Sequence, residues 1–488
     1  MSSRSILVVL AATLALPSPV AAQPARPPAH GHTGLASAIE TSIAITGGRL
    51  RLGDGHDLEN ATIVIRGDRI VSVASGAAAP PDATVIDATG QNVTAGLISL
   101  MTPIGLGEIE LETSTMDIGQ EGEDADAIRA AFSAADGYNP LSTLIPVARL
   151  GGVTSALCVP EGGLVPGTSA WVDLAGRTLS SVVRDDTAAL HVSYDDTGFS
   201  AVHGARSSAI EALRSLFDDA RLYQRSHAQY DRGQFRDTDI SRLDLERVGA
   251  AMRGEMPIVV RTARASDILR VLALADEYGL RVVLSGVEEG WMVAQEIEAA
   301  HVPVIVEPMA NLPTRFSALH TRYDNAALLA QAGVDVMIMS PGAWDVHNLR
   351  QEAGNAVANG MNWDAALRAV TSIPARVFGM DGQYGTIAPD HIANVVVWSG
   401  DPFEVTTVAR HVIIRGHDVP LVSRQTELFE RYRALDETRR GYREPWSVPV
   451  VPPDDDAEDD AEDDAQDESE VRAGDAASAD PLGTLVAD

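Results

Sequence analysis

The chain has 488 residues, 45% of them apolar, a formal net charge of −32 and one cysteine, Cys158. The acidic excess argues against nucleic acid or an anionic membrane as a partner, because both favour clusters of Lys and Arg. A lone cysteine forms no internal disulfide, so stability must come from apolar burial, and a chain of this length has room for one large α/β domain and a smaller one.

The first 22 residues have the three parts of a signal peptide. Arg4 supplies the positive start, residues 6–16 the apolar run, and residues 20–22 a small-residue cleavage site. The apolar run is too short to span a bilayer. We therefore expect cleavage near Ala22 and a periplasmic or secreted protein with no membrane span, followed by a Pro-rich linker over residues 23–37.

The pattern of apolar residues predicts an inserted barrel. Short alternating segments indicate half of a small β-sandwich over residues 38–95, and its second half over residues 385–425. Between them, over residues 96–384, apolar strand-like runs alternate with helical ones. The sequence thus predicts an α/β protein in which a (β/α)8 TIM-like barrel is inserted in a β-sandwich built from N- and C-terminal segments.

The C-terminal segment is charged. Residues 426–448, rich in Arg and Glu, predict one exposed helix. Residues 449–488 contain a dense run of Asp and Glu that repels itself and buries little apolar area, so we expect a disordered acidic tail.

Three segments carry a family resemblance: VIDATGQNVTAGLI (85–98), ALRAVTSIPARVFGM (366–380) and YGTIAPDHIANVVVWSGDPFEV (384–405). In this order they resemble the amidohydrolase superfamily, in a divergent, exported, imidazolonepropionase-like branch. The resemblance implies one or two divalent metals at the barrel mouth that convert water to hydroxide. It also implies their ligands: a His-x-His after strand 1, a Lys or Glu on strand 4, one His each on strands 5 and 6, and an Asp on strand 8.

The residues at those positions depart from the family pattern. The implied metal positions are taken by Met101, Pro103, Arg261, Ser285 and Pro341, or by Ser340 if the last alignment shifts by one. Proline offers no donor, a guanidinium repels a cation, and a thioether is a poor ligand for hard divalent ions. We therefore expect no cofactor, and a zinc-like metal only if this alignment is wrong.

Four polar residues remain as candidates for chemistry at the mouth: Asp173, Arg261, Glu288 and His347. Asp173 is the residue nearest to the implied strand 4 position. Arg261 is suited to hold a ligand carboxylate, or else forms an ion pair with Glu288 or a neighbour. His347 with Asp345 is suited to act as a base and its orienting group, or else caps a helix.

Two functions remain open. The first is a non-catalytic superfamily member that binds a small anionic or peptide-like ligand, or pairs with an active relative as a hetero-oligomer; a homo-oligomer is also compatible. The second is a hydrolase that acts on non-peptide carbon–nitrogen bonds through a non-standard site. Fold alone does not decide between them.

Overall fold

A computed structural model describes residues 42–119, 126–230, 232, 238, 240–310 and 312–438. The expected signal peptide, linker and acidic tail lie outside these residues. Among the helices of the described residues, none is both long enough and apolar enough to cross a membrane.

The strands divide between two sheets. In chain order they are β1 (Ser42–Arg51), β2 (Asp57–Arg66), β3 (Arg69–Ser75), β4 (Thr84–Asp87), β5 (Asn92–Ala95), β6 (Leu97–Thr102), β7 (Val153–Cys158), β8 (Gly167–Asp173), β9 (Val183–Ser193), β10 (Ile258–Thr262), β11 (Val282–Gly286), β12 (Val304–Val306), β13 (Val336–Ile338), β14 (Val395–Trp398), β15 (Ala409–Ile414) and β16 (His417–Asp418).

The helices lie mainly between the barrel strands. They are α1 (Ala134–Gly137), α2 (Ile145–Leu150), α3 (Leu179–Val182), α4 (Asp196–Ala201), α5 (Arg206–Tyr230), α6 (Arg242–Met252), α7 (Ala265–Tyr278), α8 (Ala294–Ala299), α9 (Asn325–Gln331), α10 (Leu349–Ala358), α11 (Trp363–Ala369), α12 (Ser372–Val377) and α13 (Arg424–Thr438). Short 3-10 helices cover Thr113–Thr115, Gly290–Val293, Phe316–Ala318 and Val346–Asn348. Helix α13 belongs to a separate unit that begins at Arg424.

The flanking β-layer is built from both ends of the barrel insertion. Its strand order is β16-β15-β14-β5-β1-β2-β3, with β4 paired to β1. Strand β14 runs antiparallel to β5, with Val395 opposite Ala95. The segment after the barrel therefore completes the layer begun before it. The strands form one hydrogen-bonded sheet with its own apolar core rather than two separate sheets.

The barrel sheet has the order β6-β7-β8-β9-β10-β11-β12-β13. One strand departs from the predicted all-parallel arrangement, because β8 runs antiparallel to both β7 and β9. Only residues 159–166 connect β7 to β8. A parallel crossover needs about a dozen residues or more, so this short link forces the chain to reverse direction.

The barrel is not closed by strand pairing. Strands β6 and β13 are the two ends of the described sheet and do not pair with each other. Near the start of β6, the Ile98 amide donates to the Val370 carbonyl at 2.9 Å, which ties β6 to the segment after α11. We call the line between β6 and β13 the seam.

Side chains alternate between the lumen and the helical layer. On β10, Val259 belongs to the apolar cluster that fills the lumen, whereas Ile258 and Val260 belong to the larger core that includes helix residues. Val283 on β11 and Ala189 on β9 also belong to the lumenal cluster. Because side chains on a strand alternate with period 2, residues two positions further along these strands also face the lumen.

Asp173 lies at the opposite end of the barrel from the mouth. It pairs with Ser155 near the start of β7, whereas Cys158 at the end of β7 pairs with Thr102 at the end of β6. The expectation that Asp173 stands near a strand 4 metal position at the mouth is therefore wrong. The reason is the reversed direction of β8, which carries its last residue to the barrel floor.

Asp173 is fully buried in a polar network on that floor. The Arg184 Nε and Arg415 Nη1 atoms lie 3.0 and 3.6 Å from its Oδ2. Its remaining hydrogen bonds come from the Tyr384 hydroxyl (3.1 Å), Ser155 Oγ (3.0 Å) and Asn394 Nδ2 (3.2 Å). Burial raises the pKa of Asp173, and the guanidiniums and hydrogen bonds act in the opposite direction. The network joins the barrel to the flanking layer.

We expect Asp173→Asn to lower the free energy of unfolding by about 3 kcal/mol, because removal of one partner from a buried ion pair leaves the other charge uncompensated. Urea unfolding followed by tryptophan fluorescence measures the change. Asp68→Asn is the matched control, since Asp68 pairs with the same Arg415 but is more exposed. Its loss should stay below about 1 kcal/mol. Equal losses in the two variants would contradict a structural role for Asp173.

Candidate ligand site at the barrel mouth

A pocket of about 80 Å³ lies in the lumen at the carboxyl ends of the strands. Its apolar wall includes Met101 of β6 and, after β13, Met339 and Pro341. The polar residues that line it include His191, Asp195, Arg261 and Ser285. The pocket thus lies where a barrel enzyme would hold its substrate.

Two of the positions assigned to lost metal ligands lie at the end of β6. Met101 lines the pocket and has a left-handed backbone with φ of 55°. Such a conformation costs an ordinary residue about 1–2 kcal/mol. Pro103 is buried outside the pocket lining, and its carbonyl accepts from the Leu106 and Gly107 amides at 2.8 and 3.1 Å, which forms a turn.

The other assigned positions lie on β11 and after β13. The Ser285 hydroxyl is fully buried and contacts the Met339 sulfur at 3.8 Å. Pro341 lines the pocket, whereas the neighbouring Ser340 hydroxyl donates to the Asp345 carbonyl at 2.7 Å. These residues present a hydroxyl, a thioether and a proline ring to the mouth.

Arg261 stands at the end of β10, two residues beyond the lumenal Val259, and its side chain is 46% exposed. Its Nε lies 3.3 Å from Asp195 Oδ2. Asp195 is itself fixed, because its Oδ1 accepts from the Thr197 and Gly198 amides at the start of α4, both at 3.2 Å. The helix cap therefore holds the carboxylate that positions the guanidinium.

Glu288 pairs with Arg315. Of the two partners considered for Arg261, Glu288 or a neighbour, the structure shows a neighbour, Asp195. The Glu288 Oε2 atom is buried with no hydrogen-bond partner in the described part of the chain. The preceding Val287 has φ of 45°, an outlier for a β-branched residue. Hydrogen bonds at 2.7 Å to the Thr262 carbonyl and at 3.0 Å from Asn325 Nδ2 hold this strained backbone.

His347 does not form the base arrangement considered from the sequence. Its Nδ1 contacts the Trp344 carbonyl at 2.9 Å, and it is not among the residues that line the pocket. Asp345 Oδ1 instead accepts from Asn348 Nδ2 at 3.3 Å. The pair therefore stabilises the 3-10 turn that precedes α10, because His347 bonds to a carbonyl rather than to the Asp345 carboxylate.

His191 is the pocket residue that the sequence reasoning missed. It lies on β9, two residues beyond the lumenal Ala189, and only 2% of it is exposed. Its Nε2 has no hydrogen-bond partner among the described residues. Burial lowers the pKa of His191 to about 3, so the ring is neutral at pH 7. The alternation of the segment AALHVS is the signal that places it in the lumen.

One buried and one partly buried carboxyl group, those of Glu352 and Glu307, lie outside the pocket lining. Glu352 on α10 is 5% exposed, and its Oε2 accepts from the Met309 amide at 2.8 Å. Burial raises the pKa of Glu352 to about 7, with a further increase from Glu307 and Asp345. Burial also raises the pKa of Glu307, and the positive charge of Arg261 opposes that shift. Glu352 therefore exchanges its proton near neutral pH.

Known proteins share both sequence and fold with this chain. The model of the Amidohydrolase family matches residues 282–419. Amidohydrolase tasK of Hapsidospora irregularis is 23% identical over 367 residues, which are 69% of this chain and 37% of that protein. These matches support membership of the amidohydrolase superfamily.

Solved structures share the fold of this chain. An amidohydrolase from Thermotoga maritima MSB8 is similar with a TM-score of 0.71 and 23% identity, over 78% of this chain and 99% of that one. Molinate hydrolase is similar with a TM-score of 0.50 and 17% identity, over 78% of this chain and 95% of its own. At these identities the likeness concerns the fold alone.

The donor groups at the mouth do not fit the divalent metal that the superfamily implies. Arg261 carries a positive charge into the pocket, and Met101 and Pro341 supply no hard donor. In the part of the chain that the structure describes, no group of three or more His, Cys, Asp or Glu side chains is placed to hold a metal ion.

Protein stability should fall as the pH rises from about 4.5 to about 7, because folding keeps Glu352 protonated in this interval whereas the unfolded chain releases the proton. The variant Glu352→Gln keeps the shape of the neutral group and should remove this contribution. Urea unfolding of both proteins at pH 5, 6 and 7.5 measures the difference. If the two curves remain parallel across this range, the pKa of Glu352 is not raised.

Proposed function

We propose that this is an exported amidohydrolase-superfamily protein that has lost the metal site and binds a small carboxylate in the barrel mouth. The observation that carries the proposal is Arg261, a guanidinium in the pocket wall where the resemblance places a metal-binding histidine. Export rests on the signal-peptide pattern of residues 4–22.

The contacts of Arg261 support the binding of an anion. The ion pair with Asp195 uses the Nε atom. In the described part of the chain no hydrogen bond of its two terminal Nη atoms is found, and these atoms match the geometry of a carboxylate. Asp195 offsets the charge of Arg261, so hydrogen-bond geometry contributes more to recognition than net charge does. The same guanidinium repels a divalent cation, and a metal-free mouth is therefore consistent with carboxylate binding.

The rest of the pocket limits the size and polarity of the ligand. Met101, Met339 and Pro341 supply apolar walls on both sides of the seam. A volume of about 80 Å³ suits a small molecule or one end of a larger one. The ligand that best matches this pocket is a small carboxylic acid with a short apolar body.

A second candidate function is hydrolysis of a non-peptide carbon–nitrogen bond without a metal. The feature that favours it is Glu352, which lies outside the pocket lining but whose pKa burial raises to about 7, a value suited to general acid–base catalysis. Its test is turnover of a panel of small amides and lactams by the metal-free protein. Turnover that Glu352→Gln abolishes would support this candidate, and no turnover across the panel would reject it.

Arg261→Ala should weaken binding of pentanoate at least about tenfold, since a hydrogen bond to a charged group contributes about 1.5–3 kcal/mol. Arg261→Lys should restore part of the affinity, because it keeps the charge and loses the planar fork. Isothermal titration calorimetry at pH 7 on chelator-free, untagged protein measures the dissociation constants.

The matched control is Arg264→Ala, which removes an exposed arginine outside the pocket lining and should leave affinity unchanged. Metal content is measured on the same preparation, and we expect less than about a tenth of a metal ion per chain. One metal ion or more per chain, or equal affinity in Arg261→Ala and the unaltered protein, would overturn the proposal.

A further inference from the structure

We infer that His191 selects the ligand, by a hydrogen bond between its Nε2 and an uncharged polar group of the bound carboxylic acid. The inference rests on the proposed carboxylate site and makes it more specific. The ligand class becomes a small carboxylic acid that carries a hydroxyl or a carbonyl on its apolar body, several bonds from the carboxylate.

The first support is an unsatisfied buried atom in a residue that lines the cavity. His191 lines the pocket, is 98% buried, and its Nε2 has no hydrogen-bond partner among the described residues. Buried polar atoms are nearly always paired in folded proteins, because an unpaired one loses its bond to water and gains nothing. A ligand group in the pocket would supply the missing partner.

The second support is the charge of the two polar groups. His191 is neutral at pH 7 because burial lowers its pKa to about 3, whereas Arg261 is charged and partly exposed. A carboxylate is therefore recognised by Arg261 and an uncharged group by His191. This division assigns different chemistry to the two ends of the ligand.

The third support is depth along the barrel axis. Arg261 pairs with Ser193, and His191 pairs with Val259, two residues closer to the barrel floor. A strand rises about 3.3 Å per residue, so the two side chains leave the sheet at levels about 6–7 Å apart. A ligand that reaches both has its uncharged group deeper than its carboxylate and separated from it by a short chain.

Other buried polar atoms do not share this position. Trp171 Nε1 and Thr262 Oγ1 also have no partner among the described residues, but neither residue lines the pocket. Thr262 is one residue from Arg261 on the same strand and is 1% exposed. It is therefore the control for the loss of a buried, unpaired polar atom next to Arg261.

The experiment compares two acids of similar size, 4-hydroxybutanoate and pentanoate, which differ by a hydroxyl in place of a methyl group. Dissociation constants are measured by calorimetry at pH 7 for the full chain, His191→Phe, Thr262→Val and Arg261→Ala. We expect the unaltered protein to prefer 4-hydroxybutanoate at least about tenfold. His191→Phe should bring the ratio to about one, and Thr262→Val should keep it.

A second measurement covers the case in which His191→Phe does not fold. In the unaltered protein labelled with ¹⁵N-histidine, 4-hydroxybutanoate should shift the Nε2 resonance of His191, and pentanoate should leave it nearly unchanged. Equal shifts with both acids would overturn the inference.

Failure of this inference is distinguishable from failure of the proposed function. If both acids bind equally and Arg261→Ala abolishes both, the carboxylate site stands and selection by His191 is rejected. If neither acid binds, or if both bind regardless of Arg261, the carboxylate site is rejected and this inference with it.

Discussion

The Asp173 carboxylate joins segments that are far apart in the chain. It lies on a barrel strand and accepts a hydrogen bond from Tyr384, which follows the last barrel helices. It accepts another from Asn394, which directly precedes β14 of the flanking layer. Arg415 extends the same network into that layer. The mouth at the other end of the barrel depends on this join, because strand positions at the floor determine which residues emerge at the top.

Above that floor, the lumen changes character with height. Its lower part is apolar, with Trp171, Val259 and Val283 in one cluster. The inward-facing residues that follow on β9, β10 and β11 are the polar His191, Arg261 and Ser285, of which His191 is level with Val259. Met101, near the end of β6, and Val287, directly after β11, have left-handed backbones. Strained residues persist only where the surroundings hold them, and they are concentrated at binding sites. Polar side chains and strained residues thus occur together at the mouth.

The architecture was predictable because the spacing of apolar residues along strands and helices is retained even where the residues of the site differ from the family pattern. The inserted barrel and the completed β-layer were predictable from alternation and from segments such as residues 384–405. Asp173 was misplaced because a short connection reverses β8, and no periodicity reports strand direction. The Arg261 partner was left open, since Asp195 reaches it through a helix cap. His191 was overlooked because an apolar run predicts burial without saying which buried side chain faces a cavity.

The seam is a discontinuity in the hydrogen-bonded wall of the described barrel. Around the rest of the cylinder, adjacent strands share backbone hydrogen bonds, but β6 and β13 do not. The Ile98 to Val370 bond ties β6 near its start, and toward the mouth Met101 lines the pocket from one side and Met339 and Pro341 line it from the other. Thioether chains are flexible and adapt to different shapes. The barrel wall is therefore interrupted along one line, and a ligand in the pocket would contact the residues on both sides of that line.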